Sequence, residues 1–147
     1  MIAIDTNVLV SAHRRDARWH TEAVDSMTPL LNGAGPWAIP WPCVHEFVGV
    51  VTRAGIFDPP STLEEAVIQV EIWLDSPTLH VLHEGPEHWL RLRTLLTTSR
   101  TTGARIHDAR IAAICLEHGV RELWTADRDF SRFPQLRTRN PLVASPR

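Results

Sequence analysis

Acidic side chains lie where predicted strands end and where predicted helices begin. Asp5 follows a short apolar run at the start of the chain, and Asp127 and Asp129 follow the last apolar run. Asp108 lies in the first turn of one predicted helix, and Glu46 lies in the first turns of another. In open α/β sheets, functional groups collect outside the carboxyl ends of the strands. The sequence therefore predicts that these five acids converge in one crevice.

Carboxylates that converge in this way repel one another unless a cation lies between them. Oxygen-only ligands suit Mg²⁺ or Mn²⁺. Taken singly, the aspartates have ordinary structural interpretations: Asp5 can cap a helix, Asp108 can be a first-turn acid, and Asp127 and Asp129 can be turn residues. Glu46 is harder to explain in this way, because its helix is otherwise apolar and an unpaired acid there is costly. The joint placement of the acids predicts a metal site.

The elements that must position these acids alternate between strand and helix. The predicted strands are the short apolar runs 2–4, 37–40, 79–82 and 122–125. The predicted helices are a brief one after Asp5, one from about Trp19, and those at 42–54, from 61 or 62 to 74, 86–98 and 106–118. In the helix 86–98, the spacing predicts that Trp89, Leu92, Leu95 and Leu96 face inward. This alternation predicts an α/β domain with a parallel central sheet flanked by helices.

Length and composition predict one domain over residues 1–147. Apolar residues make up 44% of the 147 residues and charged residues 22%, which is typical of a globular protein. The sequence has no apolar run long enough to cross a membrane and no secretory signal, so we expect a cytoplasmic protein. Its 15 basic residues are all arginine, and the net charge of −2 by itself indicates no particular partner.

Four segments resemble the motifs of PIN-domain ribonucleases, and in particular of the VapC toxins of bacterial toxin–antitoxin pairs. They read IAIDTNVL at 2–9, PCVHEF at 42–47, IHDARIAA at 106–113 and LWTADRDF at 123–130. The resemblance implies an RNA-cutting enzyme that uses Mg²⁺ or Mn²⁺, forms a homodimer and is silenced by a VapB-type antitoxin protein. It also implies a catalytic, metal-binding quartet of Asp5, Glu46, Asp108 and Asp127, with Asp129 near the site.

The chemistry assigns a role to each member of this quartet. A divalent ion neutralises the scissile phosphate and lowers the pKa of a bound water. Asp5 and Asp108 are the first choices for direct metal ligands, and Asp127 is a ligand directly or through water. Glu46 either binds a second ion or orients the attacking water.

Neighbouring polar residues are predicted to support the quartet. The hydroxyls of Thr6 and Thr125 are expected to hold carboxylates by hydrogen bonds. Asn7 is expected to contact a carboxylate or the scissile phosphate. The alternative interpretations are helix capping for Thr6 and Asn7, and an ordinary strand position for Thr125.

Arginines near the acids are candidates for binding RNA. Arg105 and Arg110 flank Asp108, and Arg128 lies in the last motif. Together they can form a basic rim that contacts phosphates. The alternative is that they are solvated surface arginines. Of the two that flank Asp108, Arg105 is expected to matter more for RNA binding, since it lies just before the first turn of the helix and can face the crevice more easily.

Two other functions remain open at this stage. One is a PIN-like nuclease that acts on other nucleic acid such as structured DNA, and the second is a catalytically silent RNA-binding relative. The sequence is compatible with a transfer RNA loop, a ribosomal RNA loop or messenger RNA as the substrate, and with one or two bound ions. The apolar helices 42–54 and 61–74 carry more hydrophobic surface than one small sheet can cover, so we expect a homodimer or an antitoxin helix to bury part of it.

Overall fold

A five-stranded, fully parallel sheet forms the centre of the protein. The computed structural model describes residues 1–143. The strands are β1 (Ile2–Ile4), β2 (Trp37–Pro40), β3 (Leu79–Leu82), β4 (Glu122–Trp124) and β5 (Thr138–Arg139). In sheet order β3-β2-β1-β4-β5, each strand pairs with its neighbours in parallel. The predicted α/β class with a parallel sheet is thereby confirmed.

Six α-helices within residues 1–143 surround the sheet. They are α1 (Thr6–His13), α2 (His20–Asn32), α3 (Trp41–Val51), α4 (Leu63–Leu74), α5 (His88–Ser99) and α6 (Ile106–Glu117). Short 3₁₀ turns occupy Gly103–Arg105 and Arg128–Arg132. No helix in this part of the chain combines the length and apolar character needed to cross a bilayer.

The central strands are buried on both faces, as helices on both sides of a parallel sheet require. Ala3, Ile4, Trp37, Ile39 and Leu123 are each at most 1% exposed. This packing fixes the sheet rigidly and holds the strand ends in register. The backbone N–H of the residue after β1 donates to the carbonyl of Trp124 at 3.0 Å, so the carboxyl ends of β1 and β4 lie side by side.

Helix α3 ends three residues earlier than the sequence predicts. Its last residue is Val51, and the predicted end was residue 54. The backbone N–H of Ser61 donates to the Val51 carbonyl at 2.8 Å. In a longer helix, this carbonyl would accept from an N–H of the next turn, so Ser61 takes the place of that donor. Gly55 lies in the turn that follows, at φ 95°.

One further expectation, the inward orientation of Trp89, is wrong, and one strand was not predicted. Trp89 is 66% exposed, whereas Leu95 is buried. These two residues are six positions apart on α5, so at about 100° per residue their side chains point to different sides of the helix. Strand β5 was not predicted, because it has two residues, both exposed, and no apolar pattern. The predicted domain 1–147 includes residues 144–147, which lie outside the described residues.

Candidate active site

The four predicted quartet acids line one cavity at the carboxyl ends of the central strands. Asp5 follows β1, Glu46 lies on α3, Asp108 lies in the first turn of α6, and Asp127 follows β4. The cavity has a volume of about 520 Å³, within the usual range of ligand sites. Elements far apart in the sequence therefore bring the four side chains to a common space.

Asp5 is fixed by four hydrogen-bond donors. Its Oδ1 accepts from the backbone N–H of Thr6 at 2.8 Å and from the thiol of Cys43 at 3.5 Å. Its Oδ2 accepts from the hydroxyl of Thr125 at 2.7 Å and from the amide of Asn7 at 2.9 Å. Asp5 is also the N-cap of α1 and is 4% exposed. Burial raises its pKa, although the hydrogen bonds from Thr125 and Thr6 oppose that shift.

Asn7 and Thr125 join the ends of β1 and β4. The side-chain oxygen of Asn7 accepts from the backbone N–H of Ala126 at 2.8 Å, and Asn7 Nδ2 donates to the Thr125 hydroxyl at 3.1 Å. The same hydroxyl accepts from the backbone N–H of Asp127 at 3.0 Å. Asp127 then accepts from the backbone N–H of Asp129 at 2.8 Å. One connected network thus orients the acids that follow both strands.

Glu46 lies in a different environment from the one inferred from its sequence. The apolar neighbours Val44 and Phe47 are buried, whereas Glu46 itself is exposed at the cavity. Its Oε2 accepts a hydrogen bond from the Thr6 hydroxyl at 3.1 Å. The expectation that the Glu46 carboxylate lies among apolar side chains is therefore wrong. Glu46 lies on a solvent-exposed face of α3, away from the apolar face that packs on the core.

Burial and the neighbouring acids both act on Asp108. Partial burial raises its pKa to about 6, with further contributions from the charges of Asp127, Asp5, Asp129 and Glu46 in that order. The helix N-terminus normally favours a carboxylate. The raised pKa shows that burial and like charges outweigh this effect.

The carboxylates of Asp108, Asp127 and Asp129 are close enough to share a cation. One oxygen from each lies within 4.8 Å of the others. These donors, like the rest of the acidic cavity, offer oxygen ligands, which fit Mg²⁺ or Mn²⁺. A cation at this position would also relieve the repulsion that raises the pKa of Asp108.

The three predicted RNA-binding arginines differ in their surroundings. Arg105 lies 3.7 Å from Asp129 in an exposed ion pair. Arg110 donates from Nε to Glu84 at 2.5 Å and forms a second contact with the same carboxylate through Nη2. Arg128 is exposed, and no ion pair engages it within residues 1–143. Only Arg128 therefore has its full guanidinium available without breaking an ion pair.

Sequence reasoning missed two kinds of residue at the site. The first is Cys43, whose thiol donates to Asp5 and whose pKa is raised by burial. Its position just after β2 is a signal that could have identified it, since strand ends converge. The second is the apolar wall of the cavity, which sequence spacing does not reveal. That wall consists of Val10, Val50, Ile56 and Phe57.

Arg14 holds the segment that carries part of this wall. Its guanidinium lies over the ring of Phe57, with its central carbon 4.5 Å from the ring centroid. It also donates to the Pro59 carbonyl at 2.9 Å and to the Ser61 hydroxyl at 3.2 Å, while Asp16 pairs with it at 2.7 Å. This arginine therefore fastens the 52–62 segment to the end of α1.

Comparison with known proteins identifies the family. The PIN domain family matches residues 2–136. The Mycobacterium tuberculosis ribonuclease VapC43 is 37% identical over 142 residues, which cover 97% of this chain and 96% of that protein. The chain belongs to the PIN domain family, in which it is a relative of the VapC ribonucleases, and the resemblance inferred from the motifs is confirmed.

Solved structures share this fold. A VapBC2 chain from Rickettsia felis, in a complex bound to a promoter DNA fragment, superposes with a TM-score of 0.69 at 20% identity and covers 95% of this chain and 98% of that chain. VapC20 of Mycobacterium tuberculosis, a toxin that cleaves the sarcin-ricin loop, superposes with a TM-score of 0.66 at 17% identity and covers 89% and 93%. These structures support the PIN-like architecture.

Proposed function

We propose that this protein is a divalent-metal-dependent endoribonuclease and the toxin component of a type II toxin–antitoxin pair. The observation that carries the proposal is the convergence of Asp5, Glu46, Asp108 and Asp127 on one cavity. The family membership and the ribonuclease names of its relatives support RNA as the substrate. The fixed geometry of the acids favours catalysis over silent RNA binding, since a binding site for anionic RNA gains nothing from clustered carboxylates.

In this proposal Asp5, Asp108 and Asp127 hold the metal ion, with Asp129 beside them. A bound Mg²⁺ or Mn²⁺ supplies charge neutralisation at the phosphate and activates a water for in-line attack. The hydrogen bonds from Thr125, Asn7 and the Thr6 backbone keep the Asp5 carboxylate aimed at the cavity.

Glu46 has the complementary role of orienting the attacking water. Its carboxylate is exposed, and one oxygen, Oε2, accepts from the Thr6 hydroxyl. The other oxygen has no protein donor among the described residues and is free to accept a proton from a water molecule in the cavity. Glu46 can also serve as a ligand where a second ion binds.

RNA is held by arginines around the acids. Arg128 contributes a guanidinium that no ion pair engages within residues 1–143, and Arg105 can exchange its exposed partner Asp129 for a phosphate. Arg110 contributes through the part of its guanidinium that Glu84 leaves open. Phosphate contacts of this kind position the strand without reading its sequence.

The partners follow from the exposed apolar surface. On α4, Leu63 is 65% exposed, Ile68 47% and Ile72 55%, whereas Ala66 and Trp73 are buried. We infer that a VapB-type antitoxin and a second copy of this chain cover this surface. We also propose that the 147 residues form a single domain and that the protein acts in the cytoplasm. The VapBC complexes among the similar structures support the antitoxin part of this proposal.

The decisive experiment measures cleavage of RNA and of DNA by the purified protein. Cleavage of RNA is expected with Mg²⁺ or Mn²⁺ and is expected to stop in excess chelator. Asp108→Asn should reduce the rate by orders of magnitude, whereas the control Asp25→Asn, at an exposed position of α2, should not. Cleavage that continues in chelator, or activity on DNA alone, would overturn the proposal.

A further inference from the structure

A second cavity adjoins the acidic one between the beginnings of α3 and α6. Its volume is about 510 Å³. It shares Glu46 and Asp108 with the acidic cavity, and His45, His107 and Arg110 provide its other polar side chains. A nucleic acid strand that passes over the two shared acids therefore has a space on each side of them.

One wall of this second cavity has a supported aromatic face. The imidazole of His45 stacks on the indole of Trp41, with a centroid separation of 6.0 Å and an angle of 25° between the planes. Trp41 packs against the core, whereas His45 and His107 are exposed. Unstacked RNA bases are commonly bound by stacking on aromatic side chains, including histidine.

Arg110 presents a guanidinium in a fixed position on the same cavity. Its Nε and Nη2 are held by Glu84, which belongs to the loop after β3. The third nitrogen, Nη1, is not used in that pair. A side chain that is already ordered loses less conformational entropy when it binds a phosphate.

The acidic cavity on the other side has a different lining. Beyond the acids, Thr6, Asn7 and Ser11, that cavity is bounded by Val10, Val50, Ile56, Phe57 and Ala126, without an imidazole or a guanidinium. Among the residues that line the two cavities, an imidazole beside a guanidinium is therefore found on the α3–α6 side. The aromatic ring of the acidic cavity, Phe57, already has the Arg14 guanidinium over one of its faces.

We propose that the cavity between α3 and α6 is a nucleotide subsite beside the scissile phosphate. A base stacks on the imidazole of His45 with His107 alongside, and Nη1 of Arg110 donates to the phosphate of the same nucleotide. The subsite would give the enzyme a base preference at one position next to the cut. This proposal rests on the proposed ribonuclease function and specifies how that site holds its substrate.

The binding test uses short single-stranded RNAs of about eight nucleotides, the size of a typical single-strand site, with 2-aminopurine placed at each position in turn. Every protein carries Asp108→Asn so that the RNA stays intact. The parent should quench the fluorescence strongly at one position. His45→Ala should abolish that quenching and weaken binding about tenfold, in line with the loss of one stacked base.

Two further variants separate stacking from other effects of the substitution. His45→Phe keeps a planar face and should restore the quenching. His80→Ala, at an exposed position of β3 outside both cavities, should behave like the parent. Equal quenching by the parent and His45→Ala would overturn the subsite.

The cleavage test uses a random-sequence RNA pool and proteins with Asp108 intact. His45→Ala should raise KM, change kcat little, and relax the base preference at one position beside the cut. If the parent cuts RNA but His45→Ala has the same KM and preference, the subsite fails while the ribonuclease function stands. If the parent cuts no RNA, the proposed function itself fails. If His45→Ala weakens only the complex with the co-encoded antitoxin, the cavity is a protein-docking site and the proposal is overturned.

Discussion

At the residue scale, the raised pKa of Asp108 links the acidic cavity to the stability of the fold. In the folded protein its pKa is about 6, above the ordinary value of 3.8, because of burial and neighbouring carboxylates. As pH rises, the unfolded chain therefore releases this proton before the folded chain does. The free energy of unfolding therefore falls as pH rises between these two pKa values. A bound cation would raise the free energy of unfolding again.

We therefore expect Asp108→Asn to stabilise the protein when metal is removed. In excess chelator, the free energy of unfolding of the parent should fall between about pH 4 and pH 6 and stay low at pH 7. The variant should show little of this decrease. At pH 7 its free energy of unfolding should exceed that of the parent by about 1–2 kcal/mol, after allowance for solvent screening. Urea denaturation across this pH range measures the effect. Parallel pH curves for the two proteins would contradict it, and Asp25→Asn serves as the control.

Thr125 is the other residue on which the site geometry depends. Thr125→Val removes the hydroxyl that donates to Asp5 and accepts from Asp127 and Asn7. The pKa of Asp5 should then rise further, and affinity for Mn²⁺ should fall about 10–100-fold, as is typical when a residue that orients a metal ligand is lost. Calorimetric titration with Mn²⁺ measures this change.

The two comparison variants for this prediction are chosen for their chemistry. Thr125→Ser retains the hydroxyl and should recover most of the affinity. Thr138→Val makes the same replacement on the exposed strand β5 and should leave the affinity unchanged. A loss of affinity in Thr138→Val as large as in Thr125→Val would show that orientation of Asp5 is not the cause.

At the scale of elements, side chains at the end of α1 hold the 52–62 segment, and Arg14 makes most of these contacts. Arg14 contacts Phe57, Pro59 and Ser61, and a nearby histidine, His13, bonds the Ser61 hydroxyl at 2.9 Å. Because Phe57 lines the acidic cavity, this attachment shapes the entrance to the candidate active site.

Removing Arg14 should loosen the segment without unfolding the protein. In Arg14→Ala, backbone amides of residues 53–58 should exchange with solvent about tenfold faster, whereas amides of the central strands should not change, since local opening is independent of global unfolding. Hydrogen exchange followed by mass spectrometry measures both. Arg15→Ala alters the exposed neighbouring arginine and should have no such effect. Equal exchange in both variants would rule out the attachment.

The sequence predicted those features that depend on regular periodicity and topology. Short apolar strands, followed by acids and separated by amphipathic helices, were enough to place Asp5, Asp108 and Asp127 at one sheet edge. The sequence could not predict contacts that depend on the route of the chain in space. The pairing of Arg110 with Glu84 and the bond from Cys43 to Asp5 are of this kind, since each joins residues at least 26 positions apart. Strand β5 forms by pairing with β4 and not by any pattern of its own.

At the scale of the whole molecule, the exposed apolar surface of α4 is the candidate for the proposed interface. Ile68 and Ile72 are one helical turn apart, and both are exposed beside His13 and Gln69. A surface of this kind is typical of a protein interface.

Placing charge on this surface should disrupt assembly and leave the acidic site intact. The double variant Ile68→Glu and Ile72→Glu should shift the protein towards monomer in light scattering or weaken its complex with the co-encoded antitoxin. RNA cleavage by any remaining monomer gives a second measurement. Val24→Glu, at the exposed face of α2, is the matched control. Unchanged assembly in the double variant would exclude this face of α4 as an interface.

The two cysteines, Cys43 and Cys115, allow local opening of the fold to be measured by alkylation. Both are free, fully buried thiols, and burial raises the pKa of each. Alkylating reagents attack the thiolate and need access to it, so the native fold should resist them. Because Cys43 contacts Asp5 and Cys115 is buried in the core in the last turn of α6, their separate alkylation rates would distinguish opening at the acidic cavity from opening of the core, without any engineered label.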